Sequence, residues 1–178
     1  MNDRVILPVA LMALAGLALG AVTAEAQEKK VGFYAGYTFL KADNGNLSGL
    51  RVSPEYRLNR VAALVGDVSA EKGTLSSSDT TLISYLVGVR FKFGTGASRV
   101  FVHGLAGGAH VSSSARLGAV TFSETATGLG LDGGGGFEFS VNGAFRMRLG
   151  ADYLRRRVKA PGIVLVANDL RATVGFVF

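Results

Sequence analysis

From Lys30 to the C-terminus, apolar and polar residues alternate one by one in eight successive segments. This period of two is that of a β-strand, whose neighbouring side chains point to opposite faces. In residues 83–93, Ile83, Tyr85, Val87, Val89, Phe91 and Phe93 share one face, while Ser84, Leu86, Gly88, Arg90 and Lys92 share the other. Residues 145–153 repeat this, with Phe145, Met147, Leu149, Ala151 and Tyr153 opposite Arg146, Arg148, Gly150 and Asp152. A helix would scatter these charges around its circumference. The remaining segments are 31–39, 50–58, 64–71, 99–111, 128–139 and 169–178; the glycine-rich 99–111 segment cannot be oriented from its pattern.

The links between segments also alternate. Short ones fall at 58–60, 94–98 and 140–143, and longer polar stretches at 42–49, 73–80, 112–123 and 159–167 read as loops. Short turns on one side and long loops on the other describe an up-and-down transmembrane barrel. The fold class expected is therefore all-β, an eight-stranded antiparallel up-and-down transmembrane β-barrel. An even strand count puts both termini at the short-turn, periplasmic end.

Residues 1–26 read as an export signal: Arg4 near the start, an apolar run over 5–20, and the small-x-small sequence Ala24-Glu25-Ala26 before Gln27. Residues 27–178 form the barrel domain. Cleavage would remove Arg4, Asp3 and Glu25 and leave the exported chain at net +7, against +6 for the whole sequence. No later stretch offers the ~20 apolar residues of a spanning helix. A membrane-bound product must then be a closed barrel. The chain has no cysteine and only His103 and His110 as histidines, so neither a cysteine-based site nor a histidine-rich metal cluster is expected. No cofactor is expected either.

Alternation alone does not separate this barrel from a soluble ligand-binding one, which carries its oily face inside. Two features favour oil outside. The polar faces carry both signs of charge in Arg51, Glu55, Arg57, Asp67, Arg90, Lys92, Asp132, Glu138, Arg146, Arg148, Asp152 and Arg171, which can pair across a narrow lumen. The aromatics Phe33, Tyr56, Phe91, Phe93, Phe139, Phe145, Phe176 and Phe178 collect at the short-turn end, as in an interfacial girdle. Phe39, Tyr85 and Tyr153 would form the opposite girdle. Eight strands leave an interior that side chains can fill, which favours a structural network over a small channel.

The signal, the eight alternating segments, strands such as Leu86-Val87-Gly88-Val89-Arg90-Phe91 and the closing Ala172-Thr173-Val174-Gly175-Phe176-Val177-Phe178 resemble the OmpA/OmpX-type small outer-membrane barrels. The resemblance implies location in the bacterial outer membrane and an assembly signal at Val174, Phe176 and Phe178, read by the outer-membrane assembly machinery. It also implies lipid and lipopolysaccharide as surroundings, a monomer, and a structural or surface-interaction role in envelope integrity or adhesion.

Other motifs are weighed against this reading. Residues 128–133 spell a dinucleotide fingerprint, but they continue into a strand rather than a helix, so their glycines read as wall. His110-Val111-Ser112 with Glu124 looks like the His-x-Ser and distal acid of outer-membrane lipid A deacylases, although Ser113 and Val120-Thr121-Phe122 depart from that family's pattern. A serine nucleophile would need His110 as base and Glu124 to orient it. Arg155, Arg156, Arg157 and Lys159 form a basic cluster at the outer end of the seventh segment, either a solvated rim or a contact for lipopolysaccharide phosphates. No nucleic-acid recognition module accompanies the basic charge.

Overall fold

The structure, a computed structural model, describes residues 30–75, 78–117, 120–141, 145–160 and 163–178. The expected signal lies outside the described residues. Eight strands follow one another: β1 (Val31–Ala42), β2 (Gly45–Arg57), β3 (Ala62–Leu75), β4 (Ser78–Phe93), β5 (Ser98–Leu117), β6 (Val120–Ser140), β7 (Arg146–Ala160) and β8 (Ile163–Val177). Each pairs antiparallel with the next, and β8 returns to β1, closing the barrel. The seam runs in register from Tyr34 opposite Val177 to Lys41 opposite Leu170. Closure leaves no unpaired edge, the condition for a sheet to stand in hydrocarbon.

The wall is inside out relative to a soluble protein. Large apolar side chains such as Leu50, Leu64, Val87, Leu131, Val174 and Phe176 are exposed, while Arg51, Asp67, Arg90, Asp132, Arg148 and Arg171 are buried. On β4 the outward apolar positions run from Phe93 to Ile83; at strand rise and barrel tilt they span ~25 Å, the height of a hydrocarbon band. Phe145 packs edge-on against Phe176 at 5.6 Å and lies beside Phe178 at 6.3 Å, within the girdle at the end that holds the termini. Tyr37, Phe39, Tyr85 and Tyr153 are exposed toward the other end.

Most described residues of the four expected loops are strand. β1 and β2 are joined through Asp43 and Asn44 alone, with Ala42 opposite Gly45. Leu75 pairs with Ser78, Leu117 with Val120 and Ala160 with Ile163, so at the other three outer connections too the strands stay paired up to their last described residues. The longer links lie at the end that holds the termini, over 58–61, 94–97 and 141–145. Above the hydrocarbon both faces of a strand are wet, so alternation fades while Ser and Thr still suit extended backbone. A polar run there reads as loop although it is strand.

Strand β5 presents its odd-numbered residues inward, with Phe101, His103, Leu105 and Ala109 buried. Leu40, Leu47, Val65, Leu82, Leu86, Leu105, Ala109 and Leu154 form an apolar cluster within the lumen, most of it toward the hairpin end. Glycine makes room for this filling. A Cβ on Gly136 would lie 2.0 Å from the Leu149 carbonyl oxygen of the next strand, whereas one on outward-facing Gly133 would meet nothing within 4 Å. Gly136→Val is therefore expected to lower stability by roughly 1–3 kcal/mol or to block folding, and Gly133→Val to raise it by roughly 0.5–1 kcal/mol. Urea unfolding in detergent, followed by heat-modifiable gel migration, checks the contrast.

Candidate functional site: the lumen charge network and the outer wall

The inward positions of seven strands assemble ion pairs in two webs and one separate pair. Toward the terminal end, the Glu55 carboxylate accepts from Arg90, from Lys92 Nζ at 2.5 Å and from Arg148 Nη2 at 2.5 Å. Glu138 takes the same Arg148 nitrogen at 2.5 Å, Lys92 at 3.3 Å and Arg146 at 3.8 Å. The Arg148 guanidinium also lies 4.7 Å from the Tyr34 ring centre and 5.1 Å from that of Phe101, which Arg90 shares at 5.1 Å. Inward-facing aromatics thus cover the flat faces of guanidinium groups whose edges are hydrogen-bonded.

The second web sits deeper. Arg51 donates to Asp67 at 2.7 Å and to Asp152, and the Ser53 hydroxyl donates to Asp67 at 2.5 Å. His103 Nε2 lies 2.9 Å from Asp132 and 3.3 Å from Asp152, with its ring stacked on Phe101. Arg171 reaches Asp132 at 3.1 Å and Glu71 at 3.2 Å, and Ser69 and Ser84 close the web. Arg156 and Asp169 pair by themselves at 2.6 Å. Among the described residues these pairs join seven Lys and Arg side chains to seven carboxylates, with His103 between two of the latter. Neutrality is what a closed interior of low dielectric demands.

His103, Asp132 and Asp152 offer three donor atoms within 4.8 Å of one another, enough in number for a metal. Both carboxylates are also held by guanidinium groups, Asp152 by Arg51 and Asp132 by Arg171. A divalent cation there would face two fixed positive charges, so the trio is better suited to hold its neighbours in place.

Of the lumen charges expected from sequence, Arg51, Glu55, Asp67, Arg90, Lys92, Asp132, Glu138, Arg146, Arg148, Asp152 and Arg171 join the webs. Arg57 does not; it is exposed at the end of β2. Arg156 corrects the reading of a single basic rim: it is buried in the lumen, and only Arg155, Arg157 and Lys159 face outward. The cause is parity, since residue 156 shares its face with 152 and 148. The same rule identifies Glu71 and Asp169 as inward. His103 had no such signal, because the glycines of β5 erase the alternation.

The suggested hydrolase triad does not assemble. His110 Nε2 is 3.4 Å from Ser112 Oγ on the outward face, but His110 Nδ1 is met by Thr127 Oγ1 at 2.9 Å. Glu124 stands opposite Ser113 and so belongs to the inward face. An acid across the sheet cannot orient that imidazole.

The family model described as "Outer membrane protein beta-barrel domain" matches residues 11–178. Among solved structures, Neisserial surface protein A is similar at 20% identity and a TM-score of 0.62, over 84% of this chain and 96% of that one. Ail, the attachment invasion locus protein of Yersinia pestis, is 16% identical with a TM-score of 0.57, over 83% and 96%. The N-terminal barrel of Pseudomonas aeruginosa OprF is 16% identical with a TM-score of 0.52, over 85% and 100%. At such identities the likeness is one of fold. No curated protein sequence matches.

The separate lumen pair gives a clean test of the electrostatics. Asp169→Asn leaves Arg156 buried without its carboxylate and is expected to cost about 3–5 kcal/mol. The double replacement Arg156→Met with Asp169→Leu removes both charges and should recover most of that loss. Unfolding midpoints of the three barrels in one detergent supply the comparison.

Proposed function

This chain belongs to the outer membrane protein beta-barrel family, and from that premise we propose that it is a closed, non-conducting barrel acting through its surface, in envelope integrity or adhesion. The observation that carries the reading is the filled lumen. Buried ion pairs occupy its middle and terminal end, and a cluster of leucines much of the rest. With long Arg side chains locked to acids on facing strands, there is little room for a continuous water path. What such a barrel offers its surroundings is its outer wall and the hairpins that rise beyond the hydrocarbon.

In this reading residues 1–26 direct export, Val174, Phe176 and Phe178 are read by the assembly machinery, and the barrel works as a monomer among outer-membrane lipid and lipopolysaccharide. Fold similarity to an attachment protein, Ail, supports surface contact as the kind of role. A hydrolase is the weaker reading because Glu124 faces away from His110 and Ser112.

Planar-bilayer recording of the purified protein tests the closed lumen. No steady unitary conductance is expected, and uniform channel steps would overturn the reading. Lipid A acyl patterns of cells expressing the wild type and Ser112→Ala should be the same by mass spectrometry. A chain lost only with the wild type would restore the enzyme.

A further inference from the structure

The lumen pairs balance as a whole but are polarised along the barrel axis. The web toward the terminal end sets Glu55 and Glu138 against four cations, Arg90, Lys92, Arg146 and Arg148. The deeper web sets Asp67, Asp132, Asp152 and Glu71 against Arg51 and Arg171, with His103 between two of the acids. The surface repeats the bias. Among the described residues the exposed Asp and Glu side chains are Asp43, Asp79 and Glu124, all at the hairpin end. The terminal end instead exposes Lys30, Arg57 and Arg60, and half-buries Lys92, Arg99 and Arg146.

Lys30, Arg57, Lys92, Arg99 and Arg146 fall on the inward face, by parity with Tyr34, Glu55, Arg90, Phe101 and Arg148. They therefore ring the mouth of the lumen, while the lipid at this level meets aromatics such as Tyr56, Phe91 and Phe176. The register that sets Val31 opposite Tyr56 continues to Lys30 and Arg57, whose backbones bond at 2.6 Å, so two like charges stand side by side. Arg99 likewise lies close enough to Arg146 to oppose its charge. Like charges so placed destabilise a sheet. The acids nearby do not relieve them: Glu55 and Glu138 are shared by the web beneath, and Glu28, earlier in the chain, is matched by Lys29. The Arg146 fork is turned to the Gly96 and Ala97 carbonyls, so it adds charge to the ring, whereas Lys30, Arg57 and Arg99 make no ion pair among the described residues.

Resting on the outer-membrane reading above, which turns this end to the periplasm, we propose that the mouth is a docking site for an acidic peptide segment presented from the periplasmic side. A recess lined by one sign of charge concentrates ligands of the other. The free cations stand on different strands around the mouth, which suits several separated carboxylates on a flexible chain better than one small anion. Guanidinium forks at Arg57 and Arg99 accept carboxylates bidentately. Bound carboxylates would also lift the repulsion between Lys30 and Arg57, so the cost carried by the free barrel is returned on binding.

The test is fluorescence anisotropy of a labelled octapeptide of alternating Glu and Ser, titrated with the full barrel in an uncharged detergent. The acidic peptide is expected to bind, more weakly as salt rises, and its Gln-for-Glu counterpart not to bind. The triple variant Lys30→Gln, Arg57→Gln, Arg99→Gln should weaken binding about tenfold, the scale of three exposed ion pairs, with normal heat-modifiable migration and no lower urea midpoint. The single variant Arg57→Gln, at an exposed position, should show part of that loss, so the test does not depend on the triple variant folding. Arg155→Gln with Arg157→Gln and Lys159→Gln, at the far end, should bind as the wild type does. Absent binding, an equal loss in the far-end variant, or displacement of the peptide by matched amounts of inorganic phosphate or phosphatidylglycerol overturns the proposal. A protein soluble without detergent defeats the membrane reading, and an extracted barrel that does not take the peptide defeats only this inference.

Discussion

Charge balance inside a wall only eight strands wide is the constraint on which the structure depends. Eight strands leave an interior that side chains can fill, so each ionised side chain buried there must find an opposite charge within reach or stay unpaired. Glu55 illustrates the solution: three cations from two other strands converge on one carboxylate. Such convergence requires the facing walls to approach closely. Small residues on the inward face, Gly136 and Gly150 opposite one another among them, leave space for the filling; a Cβ on Gly150 would lie 2.8 Å from the Thr173 hydroxyl and 3.3 Å from the Phe101 ring. Neutrality, narrowness and inward glycine are one requirement seen at three scales.

The part of this that a sequence carries is the part governed by parity. Once a strand is recognised, the face of every residue follows from odd or even position, which is why most of the lumen charges are identifiable without coordinates. Arg156 sits in a basic run of the sequence, yet alternation separates it from Arg155 and Arg157 and delivers it to Asp169. The β5 strand is a different case. Gly104, Gly107 and Gly108 carry no polarity, so nothing in residues 99–111 says that His103 faces Asp132 and Asp152.

Pairing partners were beyond the sequence for a geometric reason. Register fixes contacts between adjoining strands, such as Glu138 opposite Arg148. The bond from Arg148 to Glu55 instead crosses the lumen between strands 93 positions apart in the chain, and depends on barrel diameter and tilt. At the outer hairpins solvation hides the strands from the sequence pattern. Alternation is a signature of unlike environments on two faces, and it ends where both faces are wet even though the strand goes on.

Two populations of glycine divide the wall. Inward, a Cβ on Gly136 or Gly134 would strike the neighbouring strand or the Asp152 carboxylate, so closure and charge pairing account for glycine there. Outward, Gly104 and Gly133 touch nothing and replace the apolar residue that most lipid-facing positions carry; each omission gives up favourable contact with acyl chains and loosens the unfolded chain. Stability alone would select Val or Leu at both positions, the residues that flank them at Val89, Val102 and Leu131. Closure and charge pairing therefore place glycine on the inward face, while on the outward face the fold leaves the choice of residue free. The same residue type is thus a packing device on one face of a sheet and a contour on the other.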